Sequence, residues 1–597
     1  MELLDLDGVI EKGVFEIPSY QRGYAWQERQ LKDFWNDLEH VSKLGNQFHY
    51  MHSLTLRELE NDFESSAFEI IDGQQRLATS LILLGLLAKT TQNKDPKYSL
   101  INLEPILSYK YYGLSEAFRA ITEEEKDLEA FKTYSFYAKN LIDAYTFFKE
   151  KISDTPIEAL EKMFDALIKK MLFSVVELND SRIDPFSSFE TINNRGKDLS
   201  TLELLKNRLH FVAHKICDEG DLENLQNEIN DTYTRIYHDL GQFEDAHLED
   251  FLKHFVAYYY GEKSKFKERL LNTAFDAHKK YDDLYDEYEK INNLLLHLSY
   301  SSKVWNFLHT LDDEELRIEI TPKMRGLLEK MRRLNALSDN AFLPLLLSLL
   351  TIQLAGKSAN EQPYTTKELE GLLEHLERFG FLIYGVAGKD TAKNKWIELA
   401  FKAVQACRFW EDKITIEDLP TLEKNFFKGE YSGLELLEES IHSKKNAEKW
   451  YKWGKALNYL LYEYELHHNP ETTMKFDSSL ESIEHILPQN PDQGYSAKEK
   501  NWAKNPNIVH ALGNLLLMAK NANSSLSNKP FDEKRKEYLK GSYSEKEVAK
   551  NASFGIEQIK ERSEKLLDFL IAHYRIAELV DESAIKSFKN ASLKDIK

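Results

Sequence analysis

Cysteine and long apolar runs are scarce in this chain, and each scarcity excludes a class of protein. Only Cys217 and Cys407 occur among 597 residues, and neither belongs to a C-x-x-C pair, which argues against a disulfide framework or a zinc-thiolate site. The longest apolar run, 343–354, is interrupted by Pro344 and Gln353 and is too short to span a bilayer. The first residues lack the basic and apolar regions of a signal peptide. We therefore expect a cytoplasmic protein with no membrane partner.

Positive charge is also in short supply, which weighs against a broad nucleic-acid-binding surface. The chain has 78 Lys and Arg against 99 Asp and Glu, a formal net charge of -21, whereas phosphate contacts normally come with a basic surface. One local exception is a cluster formed by Lys529, Lys534, Arg535, Lys536 and Lys540. Charge pattern alone does not decide whether this cluster contacts DNA or is a solvated helix face. The length predicts two to four domains, because one core cannot hold so many residues.

The most informative motif lies near the C-terminus. Glu484 and His485 precede Pro488, which predicts that a short strand ends there. The apolar run 515–518 reads as a second strand, and Lys520 begins a turn into a helix. Cleavage of a phosphodiester requires a base and a cation, and an imidazole beside a carboxylate can supply the first and anchor the second. Neighbouring strand residues face opposite ways, so the strand has to end or curl for both side chains to reach one phosphate.

This region, roughly the last quarter of the chain, resembles the HNH nuclease superfamily. The matched elements are Glu-His-Ile-x-Pro-Gln at 484–489, Gly-Asn-Leu at 513–515 and an Asn-rich turn before Phe531. The resemblance implies a ββα-metal domain in which His485 and Asn514 form the catalytic set, with His485 as general base and Asn514 bracing the hairpin.

The same resemblance implies that Glu484 and Asn523 are ligands of one divalent cation. Asn523 replaces the last His of the family name, and a carboxamide oxygen favours Mg²⁺ or Mn²⁺ over Zn²⁺. His510 and Asn528 lie nearby in the sequence and remain alternative ligands.

Near the N-terminus, a proline-led loop packs aromatic and polar side chains before an amphipathic helix. Tyr20, Gln21 and Arg22 are candidates for sensing DNA, because aromatic faces stack on bases while amide and guanidinium groups bind base edges or phosphates. The alternative is a small core in which Tyr24 and Trp26 pack on the helix, whose apolar face carries Leu31, Phe34, Trp35 and Leu38.

A second motif joins an apolar strand, 68–71, to an apolar helix, 77–88. Asp72 is predicted to cap the helix, and the free N–H groups of its first turn would then face an anion together with the Arg76 guanidinium. Without a G-x-x-x-x-G-K-[ST] loop in the sequence, a nucleotide would have to be held here by other means. An ordinary Asp-Gly turn explains the pattern about as well. The candidate nucleotide site comprises Asp72, Gly73, Gln74, Gln75 and Arg76.

A third motif is a polar loop at 189–199, in which Asn193, Arg195 and Lys197 are candidate DNA contacts. Ser200 and Glu203 follow it as a capping box that begins a helix, which is a structural feature.

The three N-terminal motifs, in this order, resemble the N-terminal domain of the GmrSD-type restriction endonucleases, which pair it with a C-terminal HNH domain. The resemblance implies nucleotide-stimulated cleavage of modified foreign DNA, with an NTP at Asp72–Arg76 and accompanying NTPase activity. One departure is His52, where the family pattern has a small residue, usually Gly, and this questions the geometry of the local strand.

The sequence therefore predicts a mainly α-helical protein with small α+β lobes, of unspecified oligomeric state. We expect a nucleotide-binding and DNA-sensing α+β domain at 1–215, a helical spacer at 216–440 and a ββα-metal nuclease domain at 441–597. The predicted activity is a divalent-metal-dependent endonuclease that defends against phage by cutting modified double-stranded DNA. The alternative is a nucleotide-gated sensor that binds modified DNA and carries an inactive nuclease domain.

Overall fold

The computed structural model divides the chain into two compact units, Met1–Leu316 and Arg317–Lys597. Helices of the predicted spacer are distributed over both units. The residues that the structure describes are 2–18, 21, 23–45, 47–59, 66–92, 98, 106–110, 113–123, 127–178, 200–240, 245–276, 279–281, 283–312, 316, 318–356, 362–386, 388, 391–409, 413–422, 449–472, 474, 480–491, 494–594 and 596.

The first unit is built on a mixed six-stranded sheet. Its strands are β1 (Glu2–Asp5), β2 (Val14–Ile17), β3 (His49–Leu59), β4 (Ala67–Asp72), β5 (Leu107–Tyr109) and β6 (Met171–Glu177). They lie in the order β1-β6-β3-β4-β2-β5. Strand β3 pairs parallel with β6 and antiparallel with β4, so it joins the two halves of the sheet.

One apolar helix, Gln74–Thr90, forms the core beside this sheet. Its residues from Leu77 to Ala88 are buried on every face, as expected for a helix without a polar side. It packs against two neighbouring helices, Phe136–Ser153 and Ile157–Lys169. The other described helices of this unit are Leu6–Lys12, Glu28–Lys43, Leu114–Thr122, Thr201–Ile216, Glu219–Leu240, Asp245–Tyr260, Phe266–Glu268 and Leu284–Thr310, with 3-10 turn Glu129–Thr133 and π-helical turn Arg269–Ala274.

The second unit begins as a helical bundle and ends in the predicted hairpin region. Its first described helices are Pro322–Ser338, Leu343–Ala355, Thr366–Phe379 with the π-helical continuation Gly380–Val386, Lys393–Phe409 and Lys455–His468, with the 3-10 turns Ile416–Asp418 and Lys449–Trp453. None of the helices in the described parts of either unit is long and apolar enough to cross a membrane.

The hairpin comprises β7 (Glu481–His485) and β8 (Leu515–Ala519), which pair antiparallel with His485 opposite Leu515. The helix Lys520–Leu526 follows β8 directly and contacts both strands. Further helices of this region are Ala497–Ala503, Pro506–Val509, Phe531–Tyr538, Tyr543–Ala549, Ile556–His573 and Glu582–Leu593, with the 3-10 turns Leu512–Asn514 and Ile576–Glu578. The predicted strand, second strand and helix are confirmed, and β7 ends at His485.

The predicted N-cap at Asp72 is wrong. Asp72 is the last residue of β4, and the helix is capped by Gly73, which adopts a left-handed conformation with φ 100°. A Cβ atom at this position would lie 2.9 Å from the carbonyl oxygen of Ser53, so only glycine allows β4 to turn into the helix so closely.

His52 lies at an irregularity of strand β3. Its φ is +65°, in the left-handed region, and the pairing of β3 with β6 shifts register between Tyr50 and Ser53. A side chain is strained in this conformation, whereas glycine adopts it freely. The geometry thus explains the small residue in the family pattern and shows that the strand accommodates His52 by a bulge.

Replacing the strained residue should stabilise the fold. We expect His52→Gly to raise the free energy of unfolding by about 1 kcal/mol, because relief of strain exceeds the entropy that glycine gains in the unfolded chain. Glu58→Gly, in the regular part of the same strand, should lower it. Urea denaturation of both variants measures the difference, and an equal loss in the two would contradict the strain at His52.

Candidate functional site

The Glu484 carboxylate lies in a buried ion pair. Its Oε1 atom is 2.5 Å from Nζ of Lys534, whose side chain is completely buried, and it accepts a hydrogen bond from the Tyr538 hydroxyl at 3.1 Å. Lys534 and Tyr538 are four residues apart and share one face of the helix Phe531–Tyr538. Burial raises the pKa of Glu484, although Lys534 and Tyr538 act in the opposite direction.

His485 faces a different set of groups. Its Nε2 atom lies 3.0 Å from Nδ1 of His510, and the Tyr451 ring packs against both imidazoles, at centroid distances of 5.0 and 5.5 Å. The Gln489 amide nitrogen lies 3.3 Å from His485 Nδ1. Burial, aided by His510 and Lys534, lowers the pKa of His485 to about 3. The imidazole is therefore neutral near pH 7, and the same burial disfavours its protonated form.

Asn514 is fully buried, and its side chain forms hydrogen bonds near both ends of the segment that links β7 to β8. Its Oδ1 accepts from the Leu487 N–H at 2.8 Å, while Nδ2 donates to the carbonyls of Leu487 at 3.0 Å and Val509 at 2.7 Å. Its own carbonyl accepts from the Ile486 N–H. These bonds fix the chain directly after His485.

Gly513 allows this segment to approach the helix Ile556–His573. A Cβ atom on Gly513 would lie 2.0 Å from the Ile559 carbonyl oxygen, and its N–H donates to Ser563. Arg562 of the same helix donates to the carbonyls of Gly513 and Leu515. The Gly-Asn-Leu sequence is thus held by close packing on one side and by Asn514 on the other.

The oxygen ligands offered at this site fit a hard divalent cation, although one of them is already hydrogen-bonded to other side chains. Asn523 donates from Nδ2 to the Ser482 hydroxyl at 2.8 Å, which leaves its amide oxygen, the atom that would bind a cation, outside that bond. Glu484 offers a carboxylate whose Oε1 already contacts Lys534 and Tyr538. Oxygen ligands of these types suit Mg²⁺ or Mn²⁺. Both ligand assignments stay predictions.

Several neighbours were missed by the sequence analysis. Lys534 was assigned to a basic surface cluster, but its burial removes it from that surface, whereas Lys529, Lys536 and Lys540 are exposed. The four-residue spacing to Tyr538 was the available indication of its role. Tyr451 lies outside every motif, and nothing in the sequence linked it to the two histidines.

A second group of possible metal ligands lies among the helices of this unit. Ligand atoms of Glu377, Glu463 and His573 fall within 4.8 Å of one another. Glu463 is already paired with Lys330 at 2.7 Å and Arg333 at 3.1 Å. Two cations on one carboxylate leave little charge for a metal to neutralise, so this group fits an internal ion-pair network better.

In the first unit, the loop motif is bound to the helix motif by amide side chains. Gln21 is buried and donates to the backbone carbonyls of Ile70 and Ile71. Gln75 accepts from the Ala25 N–H at 2.8 Å and donates to the Gly23 carbonyl at 2.9 Å. Both side-chain amides are therefore hydrogen-bonded to the backbone of the protein and do not face a ligand.

The predicted small core at Tyr24 and Trp26 is confirmed. Tyr24 is buried, its hydroxyl lies 2.6 Å from that of Thr79, and Asn140 donates to its carbonyl. Trp26 contacts Phe34 at a centroid distance of 6.0 Å. Tyr20 and Arg22 lie outside the described residues, so their predicted sensing role stays open.

Asp72 and Arg76 form the partly exposed end of the helix motif. Arg76 donates from Nη2 to Asp72 at 3.3 Å and from Nη1 to the Met51 carbonyl at 3.2 Å, and Ser53 also donates to Asp72. Both side chains are 21% exposed, whereas Gln74 is buried. Arg76 and Asp72 are thus the members of this motif that a ligand can reach most readily.

The third motif, 189–199, lies outside the described residues, and the capping box that follows it is described. Ser200 and Glu203 form the predicted capping box, with reciprocal bonds of 2.7 and 3.3 Å, and Tyr137 donates to Glu203 at 2.7 Å. The candidate DNA contacts Asn193, Arg195 and Lys197 lie outside the residues that the structure describes.

Two family models match this chain. Residues 3–210 match the model described as GmrSD restriction endonuclease, N-terminal domain, and residues 438–569 match GmrSD restriction endonucleases, C-terminal domain. The first range contains the three N-terminal motifs, and the second contains the hairpin with Glu484 and His485. No curated protein matches the chain.

The Asn514 contacts predict a strong dependence of stability on its amide group. Asn514→Asp should lower the free energy of unfolding by about 3 kcal/mol, because two buried carbonyls lose their donor and face a carboxylate instead. Asn521→Asp, on the exposed face of the next helix, is the matched control and should leave it unchanged. An unaltered urea midpoint for Asn514→Asp would refute the bracing role.

Proposed function

Because this chain belongs to the GmrSD-type restriction endonucleases, we propose that it is a defence endonuclease that cuts modified phage DNA at an HNH-type site. Family membership supports a nuclease that acts on DNA. The observation that carries the finer proposal is the position of His485 at the end of β7, where Asn514 fixes the chain that follows it. We propose that the protein acts in the cytoplasm.

In the proposed reaction, His485 accepts a proton from the water that attacks phosphorus, the P–O bond to the leaving strand end breaks, and the leaving oxygen takes a proton from solvent. Gln489 is exposed, so its amide can leave the imidazole and open a path for that water. Asn514 keeps the chain after His485 in place, and Tyr451 and His510 restrict rotation of the ring. Glu484 and Asn523 would hold Mg²⁺ or Mn²⁺, which would neutralise charge on the phosphate when bound.

The N-terminal unit is proposed to sense modified DNA and to bind an NTP, with NTPase activity. Arg76 supports a phosphate contact, since its guanidinium is partly exposed at the start of a helix. The other proposed nucleotide residues, Asp72, Gly73, Gln74 and Gln75, then shape the site. The DNA contacts proposed are Tyr20, Arg22, Asn193, Arg195 and Lys197, whereas the buried Gln21 holds the loop to β4.

One observation favours a second candidate, a nucleotide-gated sensor that binds modified DNA without cutting it. Glu484 is already neutralised by the buried Lys534, so a divalent cation has to share the carboxylate with an ammonium group. If that sharing fails, the hairpin retains its fold and loses its chemistry.

Cleavage of plain and modified phage DNA distinguishes the two candidates. The purified protein is incubated with Mg²⁺ or Mn²⁺, with and without each NTP, beside His485→Ala. We expect cutting of modified DNA alone, stimulated by one NTP, and a loss of at least about 100-fold in His485→Ala because the general base is absent.

Binding of the same DNA provides the control. His485→Ala should bind modified DNA as tightly as the wild type in a gel-shift assay, since the imidazole is 8% exposed and contributes little surface. Wild-type protein that binds modified DNA and never cuts it with any cation would refute the enzyme and favour the sensor.

A further inference from the structure

We propose that Lys534 is a positioning residue that fixes the direction in which His485 leaves strand β7. This inference rests on the proposed hydrolysis at His485. The Nζ atom of Lys534 lies 2.5 Å from the Glu484 carboxylate, 2.9 Å from the carbonyl oxygen of His485 and 3.3 Å from that of Ile486. One ammonium group therefore binds three successive residues at the end of the strand.

The position of the two carbonyls explains why a side-chain hydrogen-bond donor is required there. Among the described strands, β7 pairs with β8 alone, and its ladder ends at the pair of His485 with Leu515. The His485 and Ile486 carbonyls therefore accept from a side chain rather than from a further strand. Buried carbonyls without a donor are unfavourable, and Lys534 reaches both from a helix that begins almost fifty residues later.

Stability alone accounts poorly for a charge at this position. The Lys534 side chain is completely buried, and moving an ammonium group out of water costs more than packing an apolar side chain of similar length. The ion pair with Glu484 offsets this cost, and Tyr538 contributes a second hydrogen bond to the same carboxylate. What the ammonium adds over an apolar residue is direction, because its donors fix the backbone beside His485.

His485 is consequently held from two sides. Lys534 binds its main chain, while His510 and Tyr451 contact its imidazole. Without Lys534, the ring contacts and the Asn514 brace remain, but the His485 and Ile486 carbonyls lose the donor that fixes their direction. A displacement of a reacting group by about 1 Å is enough to slow a reaction about 100-fold.

The test compares Lys534→Met with Lys546→Met, an exposed lysine on the helix Tyr543–Ala549 that lies outside the basic cluster. We expect Lys534→Met to lower kcat for DNA cleavage about 10- to 100-fold without changing KM, as for other residues that orient a catalytic group. Lys546→Met should retain wild-type kcat. Lys534→Arg should recover part of the loss because it keeps donors and charge.

A readout independent of cleavage separates this inference from the proposed function. With histidines labelled by ¹³C at Cε1, the His485 resonance, assigned from His485→Ala, should shift in Lys534→Met and stay in place in Lys546→Met. If the wild type cuts no DNA, the proposed function fails, and this resonance still decides whether Lys534 positions His485.

Folding is checked by circular dichroism and thermal melting at the assay temperature. If Lys534→Met does not fold, Lys534→Arg and Tyr538→Phe replace it, and both should shift the His485 resonance. The inference is overturned if a folded Lys534 variant leaves kcat and the resonance unchanged. It is equally overturned if KM rises while kcat stays constant, because Lys534 would then act in DNA binding.

Discussion

The buried backbone at the end of β7 has to find hydrogen-bond partners, and the C-terminal site depends on how it does so. A two-stranded sheet offers one neighbour, so the chain beyond His485 relies on side chains. Asn514 serves the Ile486 and Leu487 segment from the β8 side, and Lys534 serves His485 and Ile486 from the following helix. With these partners removed, the imidazole would lose a defined position even if its own ring contacts survived.

Local pattern was enough to predict much of this architecture. The apolar run 77–88 indicated a buried helix. Pro488, the apolar run 515–518 and the turn at Lys520 indicated β7, β8 and the helix carrying Asn523. The role of Lys534 could not be predicted, because lysines usually lie on the surface and its acceptors come from about fifty residues earlier. Asp72 was misassigned for a different reason: the left-handed Gly73 shifts the cap by one residue, and that depends on the approach of Ser53.

The N-terminal motifs show how polar residues can mislead a functional interpretation. Gln21 was chosen because an amide can bind base edges, and Gln75 because it lies in the candidate nucleotide site, yet both bind backbone in the interior. Arg76 and Asp72 differ, since part of each side chain is open to solvent. Motif residues therefore divide into those that build the site and those that face it, and burial separates them where sequence does not.

The hydrogen bonds that the Gln21 and Gln75 side chains make between loop and helix would also affect how the N-terminal unit responds to a ligand. Gln75 connects the first turn of Gln74–Thr90 to the backbone at Gly23 and Ala25, and Gln21 connects the loop to β4. The two motifs consequently form one mechanical element. If both motifs bind ligands as proposed, a ligand that displaces the helix start would also displace the loop, and thermodynamic linkage would make the influence of each ligand on the other equal in both directions.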